Sequence, residues 1–305
     1  MDRRHPADAA VVRVGAENGL MQTEAVSTTA KMSFIPSISA TRVAGVCGLH
    51  KFQTLDEIFY ELYCKDKTTE PKIREVEMRL GVRPFQALKA DVFKDANIRS
   101  VIYSAIDSAK TGNVAGALDT AETSTRTLLN MRYAHIPTEV REQLVAEARG
   151  EVSKKRGLNN ENTILNTYET DNNVQVVERN TKNLKMDFPT FKLVGRTDGW
   201  VAAHNRIVDS KDRTRFFPEV PIYDEIQLRT YMRMSGATEA ELIERFPDGR
   251  SRTTKFMNDP AQWAVIEDSI TAAVVKMNQI LDSPTDLERI VLKNTVKANG
   301  GAVHA

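Results

Sequence analysis

The sequence predicts an α/β protein: a central mixed sheet of about five strands flanked by helices, with an extra helical region. Three observations predict it. RIVDSK (206–211) is a β-branched run that reads as a buried strand. The segment after it, PEVPIYDEIQLRTYMRMSG, carries Ile222, Ile226, Tyr231 and Met234 on a helical stripe. Upstream, TLDEIFYELYCK and VFKDANIRSVIYSAIDSA repeat apolar residues at helical spacing, with no strand-like alternation.

A chain of 305 residues is long enough for one large domain or two small ones, each with a full core. Four regions are expected: a disordered leader over 1–32, a mainly helical region over 33–150, the α/β core over 151–285, and a frayed tail over 286–305. Acids at 2, 8, 17 and 24 argue against reading the leader as a mitochondrial transit peptide. Charge is nearly balanced at +1, so nucleic-acid binding would need a local basic patch. Two cysteines, Cys47 and Cys64, make neither a disulfide framework nor a four-cysteine iron–sulfur cluster, and read as buried small hydrophobes in a reducing compartment. No apolar run could span a membrane and the N-terminus has no apolar signal core, so an intracellular location is expected. The five histidines have no zinc spacing. A P-loop, a dinucleotide fingerprint and a nucleophile elbow are all missing from the sequence.

Order begins near Ser33. PSISATRVAGVCGL turns into a helix capped by Ser39 or Thr41, and its N-terminus beside Arg42 suits a phosphate; a capped helix with a solvated arginine is the alternative. Thr54 to Lys65 is an amphipathic helix whose aromatics read as core. From 71 to 150, helical patterns alternate with breaks near Gly81–Pro84, Gly112 and Pro137; this region could grip DNA, make an oligomer contact or serve as scaffold. More helix precedes the strands, and carries the basic run Lys154, Lys155, Arg156. That run suits phosphate contact or a solvated face. Residues 172–180 alternate as a strand, 181–189 read as a polar loop, and FKLVGRTDGW pairs with RIVDSK as a hairpin turning near His204–Asn205. After Gly236 come a strand, a Pro-Asp-Gly turn and a second strand. A helix from Asp259 to Leu281 follows, with Asp259 as N-cap and Pro260 in its first turn.

The chemistry concentrates between Gly195 and Tyr231. Asp209 and Lys211 are two apart in a strand, so carboxylate and ammonium project from one face. The hairpin brings Asp198 beside them, giving two hard oxygen donors that suit Mg²⁺ or Mn²⁺ better than zinc. Gln227 and Tyr231, four apart, share a helix face; Asp224 and Glu225 are spare acids on the same helix.

The order D…D-x-K on adjacent strands, then Q-x-x-x-Y on a helix, resembles the PD-(D/E)XK nuclease superfamily. The similarity is to the branch holding lambda exonuclease and the YqaJ-like viral recombinases. ISATRVAGVCGL (38–49) is similar to that branch's S-A-T-R-like segment, and KKRGLNNE (154–161) to its R-G-x-x-x-E helix. Two departures stand out: Thr197 replaces proline before Asp198, and a long helical region precedes Glu161. The resemblance implies a restriction-endonuclease-like core and Mg²⁺, for which Mn²⁺ can substitute, held by Asp198, Asp209 and Ser210 through its carbonyl, with Glu161 as outer or second-metal ligand. It implies that Lys211 orients or deprotonates the attacking water or stabilises charge, that Gln227 and Tyr231 position the attack, and that Arg42, Lys154, Lys155 and Arg156 meet phosphates. The implied activity is digestion of double-stranded DNA, 5′ to 3′ from an end, in viral or phage-type recombination and repair. A single-strand annealing protein and a homo-oligomer, a trimer by resemblance, are the implied partners. A structure-specific endonuclease and a non-catalytic DNA-binding module are the rival readings.

Overall fold

The computed structural model describes residues 34–110 and 112–297. The expected leader (1–32) and the last eight residues of the expected tail lie outside them. The architecture is mixed α/β, as the sequence predicts. The strands, expected in one sheet, instead lie in two main sheets and a small ribbon.

The first sheet joins β1 (Ser37–Ser39), β3 (Asn183–Asp187) and β4 (Lys192–Arg196) in the order β1-β4-β3, with β1 parallel to β4. The second joins β5 (Gly199–Val201), β6 (Arg206–Asp212), β7 (Glu239–Arg245) and β8 (Ser251–Met257) in that order. The hairpin expected between FKLVGRTDGW and RIVDSK is reduced to β5–β6, with a 3₁₀ turn at Ala202–His204 and Asn205 in the left-handed region, because Lys192–Arg196 pairs with β1 and β3 in the first sheet. Strands β6 and β7 are parallel, which requires a crossover; α8 (Ile222–Ser235) supplies it. The strand expected at 172–180 is a loop with one bridge, Val177 to Trp200, while β3 forms where a polar loop was expected. Val174 and Val176 face an apolar cluster under β5–β7, so their alternation records burial and not sheet pairing.

The main core lies among α1 (Ala40–Val46), α2 (Leu55–Lys65), α8, α9 (Pro260–Asp282) and the inner faces of β4, β6 and β7. Local sequence explains the helix starts. Thr54 and Glu57 form a reciprocal capping box at α2, and Asp259 accepts from the amides of Ala261 and Gln262 at α9. Ser39 is the N-cap residue of α1, but its side chain makes no capping hydrogen bond and instead meets Thr41 Oγ1 at 3.1 Å.

The expected boundary at 150 falls inside α7 (Thr138–Asn172), a helix about 50 Å long. Residues 34–80 belong to the main core, not to a separate helical region. A second core forms among α4 (Phe85–Val92), α5 (Ala96–Lys110), α6 (Val114–Arg132) and the first half of α7. The second half of α7 packs Ile164, Leu165 and Tyr168 against β6 and β7, so one helix belongs to both bodies. The tail is also better ordered than expected. Helix α10 (Pro284–Asn294) buries Leu287, Ile290 and Val291, and β9 (Thr295–Lys297) pairs with β2 (Val82–Pro84). Cys47 and Cys64 are free and half-buried against the main core. Burial pushes their thiols up to about 12 and about 11, so both stay protonated at neutral pH.

Candidate active site

Strand β6 is buried on both faces, and alternation divides its side chains between them. Ile207 enters the main core and Val208 the cluster under α7. Asp209 and Lys211 share the Ile207 face, toward α8. The Asp209 side chain is almost fully buried, and Lys211 Nζ lies 2.7 Å from its Oδ2. Among the described residues, the Lys211 ammonium is the one polar partner of that Oδ2. Oδ1 accepts from Gln227 Nε2 at 3.1 Å.

Asp198 occupies the short link between β4 and β5. Its Oδ2 accepts from the Ser210 amide at 2.8 Å and from Ser210 Oγ at 3.0 Å, which fixes the carboxylate against β6. From α7, Glu161 reaches the same place and accepts a hydrogen bond from Asn180. Gln227 also meets Tyr231 Oη at 3.2 Å, and that hydroxyl donates to the Arg196 carbonyl at 2.9 Å. Asp198, Asp209, Ser210, Lys211, Glu161, Gln227 and Tyr231 thus line one cleft of about 640 Å³, together with Lys154 and the start of α1.

Electrostatics follow from burial and crowding. Burial pushes the Asp209 carboxyl up to about 7, with Lys211 opposing the rise and Asp198 reinforcing it. Burial likewise raises Asp198, against Lys211 and the two Ser210 hydrogen bonds, while Glu161 adds to the rise. Burial alone would pull Lys211 down, but Asp209, Asp224 and Asp198 outweigh it and hold the amine as an ammonium. The cleft therefore gathers Glu161, Asp198 and Asp209 opposite Lys154, Arg196 and Lys211, with both aspartates crowded around the single Lys211 ammonium.

Other expected residues lie elsewhere. Arg156 does not face phosphate: it is 5% exposed and pairs with Asp212 at 2.8 Å. Its position follows from the spacing Val152, Arg156, Asn160, Ile164, Tyr168, an i+4 ladder on the packed side of α7. Lys154, Gly157, Leu158 and Glu161 form the neighbouring face, which lines the cleft. Lys155 is exposed and off that face. Arg42 points to Glu61, 2.8 Å away, and is not among the lining residues. The spare acids are paired: Asp224 is buried with Arg213 at 2.8 Å, and Glu225 meets Arg229 at 2.7 Å. Sequence reasoning missed Asn180, whose position in a left-handed turn (φ 52°) before β3 carried no local signal.

Gly195 has a steric role here. A Cβ at that position would fall 2.7 Å from the Tyr231 ring and 3.1 Å from Met234. We expect Gly195→Ala to cost about 1–3 kcal/mol in urea denaturation and to displace the Tyr231–Gln227 pair.

Among the described residues, no three His, Cys, Asp or Glu side chains close around a single point tightly enough to be a ready-made metal cage. The chemistry of the set nevertheless suits a hard divalent cation. The donors are all oxygen, Asp209 Oδ2 meets only the Lys211 ammonium among the described residues, and both aspartates are raised in a way that a nearby cation would reverse.

No protein-family model matches the chain, and no curated protein does. Solved structures do. An alkaline exonuclease, LHK-Exo from Laribacter hongkongensis, is similar at 12% identity and a TM-score of 0.40, over 81% of this chain and 90% of that one. A phage-related exonuclease from Haemophilus somnus 129PT is similar at 14% identity and a TM-score of 0.36, over 54% and 83%. The structure of SSO0001 is similar at 17% identity and a TM-score of 0.32, over 50% and 70%.

Proposed function

We propose that this chain is a divalent-metal-dependent DNA nuclease that hydrolyses phosphodiester bonds. One observation carries the reading: a buried aspartate and a half-buried one, both raised by burial, converge with a lysine and a helix-borne glutamate in one cleft. Paired carboxylates held that way are costly to the fold unless a cation uses them. Asp198, Asp209 and the Ser210 carbonyl would hold the ion, with Glu161 as an outer or second-ion ligand. The ion would supply Lewis acidity toward the scissile phosphate and the attacking water. Mg²⁺ is the ion proposed, with Mn²⁺ able to substitute, because every donor is a hard oxygen.

The protein's own groups have separable roles. Lys211, held as an ammonium, would donate to the attacking water or to a phosphate oxygen and offset the charge that builds there. Gln227 fixes the Asp209 carboxylate, and Tyr231 fixes Gln227. Lys154, exposed at the rim, is the cation placed to meet a backbone phosphate. The motif order reads further as 5′ to 3′ digestion of duplex ends in recombination and repair. The annealing partner and the trimer rest on that resemblance alone. No helix among the described residues is long and apolar enough to cross a membrane.

Digestion of end-labelled linear duplex, beside a covalently closed circle, tests this reading. Linear DNA should lose its label only with Mg²⁺ or Mn²⁺, and Lys211→Ala and Asp209→Ala should each lower the rate about a hundredfold or more. Cutting of the circle would make the enzyme an endonuclease. Binding without cleavage under either ion would refute catalysis.

A further inference from the structure

A second cluster lies at the start of α8. The loop between α1 and α2 carries His50, Lys51 and Phe52, and α8 begins with Ile222 and Tyr223. The His50 and Tyr223 rings stand 4.7 Å apart between centroids, and Phe52 meets them at 6.2 and 6.5 Å, edge-on to both. Phe52 is 59% exposed, so its ring stays on the surface rather than in the core. Lys51 Nζ lies 5.9 Å from the Phe52 ring. The loop entering α8, residues 213–221, adds an exposed Arg215. The acids there are few: Asp224 is buried on Arg213, and Glu219 is the single acid of the 213–221 loop.

The cluster is tied to the cleft by helix geometry. Tyr223, Gln227 and Tyr231 are spaced i, i+4, i+8 on one face of α8. Tyr223 is half-buried at the surface end, and Gln227 and Tyr231 are buried in the cleft. Each step along that face is about 6 Å. Tyr223 thus stands about 12 Å along the α8 axis from Tyr231, at the surface end of the face whose other end reaches the cleft. One exposed ring braced by two half-buried ones, beside cations, can serve base stacking; every base offers a π-face, and the cations follow the phosphates.

We propose that His50, Phe52 and Tyr223, with Lys51, form a stacking platform for unpaired bases of a DNA strand that runs into the cleft. The nature of the ligand rests on the nuclease reading above; the platform is a further site, and its function is separable from cleavage. It implies that the enzyme engages DNA with unpaired bases at one side of the cut, and so prefers ends that carry or readily open a single strand.

Anisotropy with a short fluorescent single-stranded oligonucleotide, without divalent ions, tests the platform. Its partner probe is an abasic oligonucleotide of equal length. Wild type should bind the base-bearing strand roughly tenfold or more tightly than the abasic one. Phe52→Ala should lose that preference, with an unchanged melting temperature because the ring is exposed. Phe52→Trp should keep it. Equal affinity of Phe52→Ala and wild type, or no discrimination against abasic DNA by wild type, overturns the platform. If wild type still digests linear duplex in that case, the nuclease reading stands without it. If wild type neither binds nor digests DNA, both fall together.

Discussion

Asp209→Asn should abolish cleavage and, in the same protein, raise stability above neutral pH. The two effects have one cause. The carboxyl sits on a buried face of β6, and burial raises it to about 7 even with Lys211 at 2.7 Å. The sign follows from linkage. Between roughly pH 4 and 7 the unfolded chain has released this proton and the folded chain still holds it. The folded state therefore binds more protons, and its stability falls as pH rises through that window. Below the window the acid is neutral in both states and costs nothing. Above it, the folded protein carries a buried charge that it would be more stable without. An asparagine keeps the shape and the acceptor for Gln227 but cannot ionise. Urea denaturation in EDTA should show wild type losing stability between pH 5 and 8 while Asp209→Asn stays flatter, ending more stable by on the order of 1–2 kcal/mol. Adding Mg²⁺ should stabilise wild type and not the variant, since only a charged ligand set holds the ion. An Asp209→Asn protein less stable than wild type at pH 8 would show that the Lys211 ion pair, and not burial, dominates the site.

Much of this site was legible in the sequence because strand and helix periods are short and local. D-x-K on a β-branched run placed Asp209 and Lys211 on one face, and the four-residue spacing of Gln227 and Tyr231 placed both on one side of α8. The hairpin that brings in Asp198 was visible only in its last three residues, Gly199–Val201; the Lys192–Arg196 run expected to pair with β6 joins β1 and β3 instead, a long-range choice. What was not legible depended on long-range partners. Arg156 looked like one of three exposed cations, because its neighbours Lys154 and Lys155 are exposed; only the i+4 ladder running inward from Val152 separates it from them. Val174 and Val176 alternate as a strand would, but the segment meets one bridge partner and then turns. The charged residues of β7 make the same point. Glu239, Glu241 and Glu244 are all buried, because Arg206, Arg213, Arg252 and Lys255 meet them from neighbouring segments. A carboxylate in a strand shows its chemistry in sequence, but whether it faces water or an arginine is decided by another element.

The second large effect is expected at Asp212, which never touches the cleft. It is the last residue of β6, on the opposite face from Asp209 and Lys211, and its carboxylate is fully buried. Four donors satisfy it. Arg156 Nη2 lies at 2.8 Å and Asn160 Nδ2 at 2.6 Å, both from α7; Arg245 contributes Nε at 3.2 Å and Nη2 at 3.0 Å from β7. Arg156 also donates to the Arg213 carbonyl at 3.0 Å. The cluster joins the middle of α7 to the strand that carries Asp209 and Lys211, within one helical turn of Lys154 and Glu161. Removing the carboxylate would leave the buried guanidinium of Arg156 without a counter-charge, which costs about 3–5 kcal/mol. Asp212→Ala should show that loss in urea denaturation. It should also lower cleavage by about a hundredfold, because Glu161 and Lys154 would no longer be held at a fixed distance from Asp198. Arg156→Met combined with Asp212→Leu should be less destabilised than Asp212→Ala alone, since no buried charge remains unpaired. That double variant separates the two roles of the cluster. Stability restored with cleavage still impaired would mean that the polar anchor sets the position of α7 over the cleft. Stability and cleavage restored together would mean that packing alone sets it.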